Sequence, residues 1–431
     1  MVRVDTLDYA AGMPFTPRPD PSSRRTFVAT VGAAFVAGAM PPAQRRASRN
    51  AGRAGRPRGL ALGRDDFLFD EGLTYLQTGS LGPSPNQVID AAAASWLELE
   101  RNPVVNGYGT HEKMLDDVRA QAATFIGCTT DELVLTNCTT EGMNWVAQGL
   151  TFAAGDRVLT SDQEHPGGRV CWDYVVRRSG VVLDVVPIAP LQHDARQIVD
   201  AFAQRITPRT KVLSFSHINS STGLRMPVAE LSALARSRGC LAVVDGAQAV
   251  GAIDVNVKAL GCHVYATSGH KWLLAPKGTG LLYLSSEIGS AVDPIALQSG
   301  RGGYTASSGV CSLPSVAGLG AAISYHEKIG KSRIEATNLE LRQHVYEALL
   351  TVPKVKILSP ARGALASPML SYQLPDAIKS HALYEALLAK HKVVVKVVPG
   401  NWFNGHRIST HLFNDLADVA ALTTALRAEL A

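Results

Sequence analysis

Residues 241–283 read LAVVDGAQAVGAIDVNVKALGCHVYATSGHKWLLAPKGTGLLY, and this stretch decides the fold. Leu241–Asp245 is a short, nearly continuous apolar run ending on a carboxylate, which predicts a strand buried on both faces. Ser268, His270 and Lys271 follow on a turn, and Pro276 to Tyr283 leads into a glycine-rich strand. Outward from here, similar runs at Glu132–Thr136, Arg157–Thr160, Val181–Pro187 and Lys211–Ser216 alternate with helical patterns between about Asp116 and Leu284. That alternation predicts an α/β fold with a largely parallel sheet sandwiched by helices. Ligands of such sheets bind beyond the carboxyl ends of the strands, where the chain's polar motifs fall. After Pro314, an Ala-rich helical stretch over 316–331 and a strand at Val393–Val398 predict a second, smaller α+β domain.

The chain has 431 residues, of which 46% are hydrophobic, enough for one large domain and a smaller one. Its formal charge of +5 is lopsided: residues 1–59 hold ten Arg and three Asp, which leaves the remainder at a net −2. A nearly neutral body argues against a nucleic-acid partner. Cys128, Cys138, Cys171, Cys240, Cys262 and Cys311 are scattered, with no CxxC pair and no zinc-ligand spacing. No metal is expected, and most of these cysteines read as small buried apolar residues.

The aspartate of VVDGAQ, the Ser-x-His-Lys order at 268–271 and the glycine-rich strand behind it occur together, and together they strongly resemble the lysine signature of the class V aminotransferases. That family includes cysteine desulfurases and isopenicillin N epimerase-like proteins, and the resemblance spans roughly residues 65–430. It implies the pyridoxal-phosphate-dependent transferase fold of type I. Lys271 then forms an imine with the aldehyde of pyridoxal 5'-phosphate and shuttles the substrate Cα proton. Asp245 pairs with the pyridine nitrogen, and Gln248 meets the phenolic oxygen. Ser268 and His270 donate to the phosphate. Thr136–Asn144 (TNCTTEGMN) opens a helix after a strand and resembles the family's phosphate cup, with Thr139 and Thr140 as ligands. His165, in Asp162-Gln163-Glu164-His165-Pro166, matches the histidine that stacks on the ring. In Ser216–Val228, either Asn219 or Ser220 takes the place bordering the phenolic oxygen. Each residue has a plainer reading beside this one: helix cap for Asp245 and Thr139, structural histidine for His165, solvated cation for Lys271.

On the substrate side, Gly405–Asn414 (GHRISTHLFN) resembles the family's C-terminal Arg-x-Ser-x-His-x-x-Asn motif. It implies that Arg407 grips the substrate α-carboxylate with a bidentate fork that lysine lacks. Thr74–Pro83 (TYLQTGSLGP) resembles the opening segment of the epimerase-like subgroup, with Gln77 in place of the common Asn. Two departures stand out. Residues 395–401 (VKVVPGN) lack the nucleophilic cysteine of the desulfurases, which argues against persulfide chemistry. Gly309-Val310 replaces a family Gly-Thr, so the cross-subunit phosphate contact is absent or supplied by Thr305 or a nearby Ser.

At the N-terminus, Ser22-Ser23-Arg24-Arg25-Thr26-Phe27-Val28 precedes an uncharged run, Ala29–Met40, and then Pro41-Pro42. The layout is that of a secretory signal, and the paired arginines resemble the twin-arginine consensus used for folded cargo. Residues 1–42 are predicted to be this signal and 43–64 a flexible linker, with a large cofactor-binding domain at 65–310 and a small C-terminal domain at 311–431. A basic tail and an uncleaved anchor are the alternatives. The expected protein is an exported, periplasmic homodimer, handed to the twin-arginine machinery and not held in a membrane after cleavage. Its expected substrate is an amino acid or amino-acid-bearing metabolite. Transamination is favoured; epimerisation and carbon–sulfur lysis are the enzymatic alternatives, and a non-catalytic binding protein is the remaining one.

Overall fold

The computed structural model describes residues 63–189, 191, 194–302 and 304–431. The predicted signal and all but the last two residues of the predicted linker lie outside them. Seven strands form the main sheet: β1 (Leu133–Thr136), β2 (Arg157–Ser161), β3 (Val182–Val186), β4 (Thr210–Ser216), β5 (Leu241–Asp245), β6 (Val264–Ser268) and β7 (Gly280–Leu284). Their spatial order is β1-β7-β6-β5-β4-β2-β3. Only β7 runs against its neighbours, so the other six strands share one direction and end at one edge. The apolar runs read from the sequence are buried because helices cover both faces, one core holding Leu213, Phe215, Ala242 and Val244 and another holding Val158, Val212, Val243 and Val264. Alternate residues of a strand face opposite sides, which is why Val243 and Val244 belong to different cores.

Local chemistry sets the ends of the covering helices. Thr110–Ile126 stops at Gly127, which adopts the left-handed conformation (φ 80°) that glycine alone takes without steric cost. Pro166–Ser179 starts with proline at its first position and His165 as its cap, the ring accepting the backbone N–H of Gly167 at 3.0 Å. The Ala-rich helix expected over 316–331 spans Leu313–Ile329 and packs on Asn86–Leu99 and Thr110–Ile126. It stops two residues early because Gly330 turns the chain (φ 96°) into a new helix, Lys331–Leu349.

A second sheet, β8 (Lys356–Ile357), β9 (Met369–Gln373), β10 (Lys396–Val397) and β11 (Gly405–Ser409), has the order β8-β9-β11-β10 and is antiparallel throughout. The strand expected at Val393–Val398 divides at Val395. Val393–Val394 pairs in parallel with Thr74–Tyr75, whereas Lys396–Val397 pairs with β11. The chain changes partners there, so one apolar run serves two pairings. Leu76 joins the core of this second sheet with Leu370, Tyr372 and Ile408, which ties the start of the described fold to its end. Among the described residues no helix is long and apolar enough to cross a membrane.

Candidate active site

Polar side chains collect where the parallel strands end. Thr139 follows β1, Glu164 and His165 follow β2, and Asn219 and Ser220 follow β4; Asp245 closes β5, and Ser268 closes β6 with His270 and Lys271 just beyond it. Arg407 enters from β11 of the second sheet. The arrangement follows from topology, because six strands sharing one direction bring six loops to the same edge.

Lys271 is half-buried. Burial lowers its pKa to about 8; the Asp245 carboxylate opposes that shift and the Arg407 charge adds to it. A lysine so placed gives up its proton far more readily than one in water. Asp245 is buried and accepts the N–H of Ala247 at 2.9 Å. Burial raises its pKa, against the pull of Lys271. The turn after His165 presses on this carboxyl closely enough that a Cβ at Gly168 would lie 2.4 Å from Asp245 Oδ2. His165 is held near pKa 4 by desolvation first and then by Lys271, Arg407 and Lys396, so its ring is neutral at ordinary pH.

Thr139 Oγ1 lies 2.8 Å from Ser268 Oγ, and the Thr139 N–H donates to the same oxygen at 2.9 Å. Two hydroxyls and the first turn of Thr139–Gly149 are thereby clustered. Thr140 sits on the same turn, where its Oγ1 would be 2.6 Å from a Cβ at Gly167. His270 has a pKa lowered to about 4, chiefly by burial, and its buried Nδ1 has no partner among the described residues. Ser220 Oγ and Asn219 Oδ1 are likewise buried and unpartnered, so both remain available to a ligand. Gln248 is more committed: its Nε2 donates to Gly79 O at 2.9 Å and its Oε1 accepts Trp272 Nε1 at 2.8 Å, leaving one amide hydrogen.

Arg407 is buried. Its Nη1 donates to Ser220 O at 2.8 Å and its Nη2 to Ser80 Oγ at 3.2 Å, while Nε has no partner among the described residues. Desolvation lowers its pKa to about 10. The segment at 79–82 closes over the site with no room to spare: a Cβ at Gly79 would sit 2.9 Å from Arg407 Nη2, and one at Gly82 would sit 1.9 Å from Lys271 O. Cys138 is within electrostatic range of Lys271. Thr305 Oγ1 lies 2.8 Å from Ser308 Oγ, so the two hydroxyls share a hydrogen bond within their own hairpin.

Glu164 was not expected from the sequence, where a carboxylate beside a histidine reads as a solvated loop charge. It is buried and bonded at 2.5 Å to Ser161 Oγ and to Ser216 Oγ. Burial raises its pKa to about 7, the serine bonds oppose that shift, and Asp245 adds to it. The folded carboxyl therefore keeps its proton up to about pH 7, whereas the unfolded one releases it near the ordinary 4.5. Stability is lost as pH rises through that window. Glu164→Gln, which mimics the protonated form, is expected to gain on the wild type between pH 4.5 and 7, by up to about 3 kcal/mol. Urea unfolding at the two pH values checks this; a constant difference between the proteins contradicts it.

The chain belongs to the class V aminotransferase family, whose model matches residues 74–428. The family depends on pyridoxal phosphate, and this chain is an enzyme of that class. It is 31% identical over 390 residues to isopenicillin N epimerase of Amycolatopsis lactamdurans, covering 85% of this chain and 98% of that protein. It is 32% identical over 312 residues to a cysteine desulfurase of Salmonella dublin, covering 67% and 76%. Among solved structures, apo cysteine desulfurase from Thermococcus onnurineus NA1 matches with a TM-score of 0.75 at 24% identity, over 85% of this chain and 96% of the other. The cystine C–S lyase C-DES, solved with its product cysteine persulfide, matches with a TM-score of 0.75 at 23% identity, over 83% and 98%. These likenesses bear out the type I fold.

Proposed function

We propose that this protein binds an amino acid through its α-carboxylate and removes the Cα proton, with epimerisation or transamination as the outcome. The observation that carries the reading is the meeting of Lys271, Asp245, His165 and Arg407 in one site, where the turn after His165 presses on Asp245 and residues 79–82 pack against both Arg407 and Lys271. The residues fit pyridoxal phosphate. Among the described residues, the buried carboxyl of Asp245 accepts one hydrogen bond, from the Ala247 N–H. His270 Nδ1 and Ser220 Oγ are buried without partners, and the Thr139 and Ser268 hydroxyls cluster at a helix start, where an anion is favoured.

In this reading Thr139, Thr140, Ser268 and His270 would hold the phosphate, Asp245 would pair with the ring nitrogen and His165 would stack on the ring. Gln248 and one of Asn219 and Ser220 would meet the phenolic oxygen. The bound cofactor supplies the electron sink for the pair left at Cα. Lys271, with its lowered pKa, takes and returns the proton, and Arg407 fixes the carboxylate so that the Cα–H bond faces Lys271. The proton's destination would decide the product: inversion would need a second proton donor on the face of Cα opposite Lys271, whereas transamination would leave the amino group with the cofactor and need water to release the keto acid. Transamination is what the sequence favours, whereas the full-length likeness to isopenicillin N epimerases supports epimerisation. Carbon–sulfur lysis has less support, because residues 395–401 carry no cysteine.

The test is proton exchange. Cofactor-loaded protein in deuterium oxide is expected to wash out the Cα proton of its amino-acid substrates, read by NMR. Chiral analysis then identifies a D-enantiomer, a keto acid or an elimination product. A panel spanning neutral, acidic and basic amino acids that shows no exchange contradicts the reading.

Two further proposals rest on the sequence. Residues 1–42 direct export to the periplasm by the twin-arginine route, so replacing Arg24 and Arg25 with Lys keeps the protein in the cytoplasm. The protein acts as a homodimer, and the exposed Trp96, Val104, Val105, Tyr108 and Val310 support this, being large apolar side chains at or beside one groove. Sedimentation of the purified protein as a monomer counts against it.

A further inference from the structure

Three lysines are half-buried among the described residues: Lys271, Lys331 and Lys396. Lys331 is satisfied, donating to Phe125 O at 2.9 Å and Val255 O at 3.0 Å and pairing with Asp254 at 3.0 Å. Lys271 is accounted for by the chemistry above. Lys396 has no hydrogen-bond or ion-pair partner for its ammonium among the described residues, and the charge that acts on it is another cation, Arg407. A half-buried cation facing a second cation costs free energy unless an anion answers both.

The register places that anion. Ser371, Arg407 and Lys396 are directly opposed on β9, β11 and β10, so their side chains stand in a row on one face of the second sheet. The first two reach across to consecutive carbonyls after β4, Ser371 Oγ to Ser221 O and Arg407 Nη1 to Ser220 O at 2.8 Å. Lys396 is the third in the row and reaches no such carbonyl. Directly opposed to Arg407, it stands on the face of the second sheet from which Arg407 reaches the Ser220 carbonyl at the site. The hydroxyls assigned to a phosphate, on Thr139, Thr140 and Ser268, lie where β1 and β6 of the main sheet end. Arg407 Nε and the nearby Ser409 Oγ are further buried polar atoms without partners among the described residues.

We propose that Lys396 is a specificity-determining residue that binds a second carboxylate, on the substrate side chain, so that the enzyme selects amino acids carrying a distal acidic group. This rests on the reading of Arg407 as the α-carboxylate fork. Arg407 holds one end of the substrate and Lys396 the other, and a neutral side chain leaves Lys396 unanswered.

Inert acids test the pair without requiring the true substrate. Calorimetric titration of the cofactor-loaded protein with succinate, glutarate and adipate, against butyrate and valerate, is expected to show at least one diacid binding at least about tenfold more tightly than the monoacids, the scale of one charge-assisted hydrogen bond. In Lys396→Met, which keeps the apolar stem, that advantage disappears while monoacid binding stays within about twofold; Lys396→Arg retains most of it. Diacids no tighter than monoacids, no measurable binding of any acid, or an advantage that survives in Lys396→Met would each overturn the proposal. Arg407→Ala separates the two layers. Loss of both acid classes supports the fork, whereas unchanged monoacid binding refutes the fork itself, whatever Lys396 does.

Discussion

Lys271→Ala is expected to leave a folded protein whose turnover is lower by about 10³-fold or more, because it deletes both the attachment point and the proton carrier. The other two half-buried lysines are poorly placed to substitute. Lys331 is tied to two carbonyls and Asp254, and Lys396 stands beside Arg407 on the second sheet. Removal of the Lys271 ammonium also leaves the buried Asp245 without the charge that offsets its desolvation, so its proton affinity rises further in the variant. Far-ultraviolet circular dichroism establishes that the variant folds, and initial rates on any exchanging amino acid establish the loss. Near-wild-type exchange by a folded Lys271→Ala protein would assign the proton transfer to another group.

Arg407→Lys carries the second large effect. The guanidinium spans from Ser220 O to Ser80 Oγ and still offers Nε, a planar fork that an ammonium does not reproduce. The expected loss in kcat/KM for α-amino acids is about 10²-fold, the cost of breaking a buried, hydrogen-bonded charge pair. It falls mainly on KM, and an amine lacking the carboxylate reacts equally slowly with both proteins. A loss of the same size for that amine would mean that Arg407 maintains the fold and does not bind the carboxylate.

The main sheet was legible because strands buried on both faces leave runs such as LAVVD, and because the residues that end them are polar. The loops that bring Thr139, His165, Asp245 and Lys271 together follow from strand direction alone. What sequence left unread involves burial and distance. Glu164 looks like a loop charge until Ser161 and Ser216 close around it. Gly79 and Gly82 look like turn glycines until Arg407 Nη2 and Lys271 O are found where their side chains would be. Lys396 looks like one charge on an edge strand, and its meaning comes from a cross-strand register with Arg407 that no local pattern encodes. The break of the Val393–Val398 run was illegible for the same reason, since two partners from distant segments compete for it.

The central claim is that Lys271 is the amine that holds the cofactor, and borohydride reduction of the cofactor-loaded protein followed by peptide mass mapping tests it most directly. The cofactor mass is expected on the peptide containing Lys271, with Lys396 and Lys277 unmodified. Its appearance on another lysine, or on none after loading with excess pyridoxal phosphate, would contradict the account.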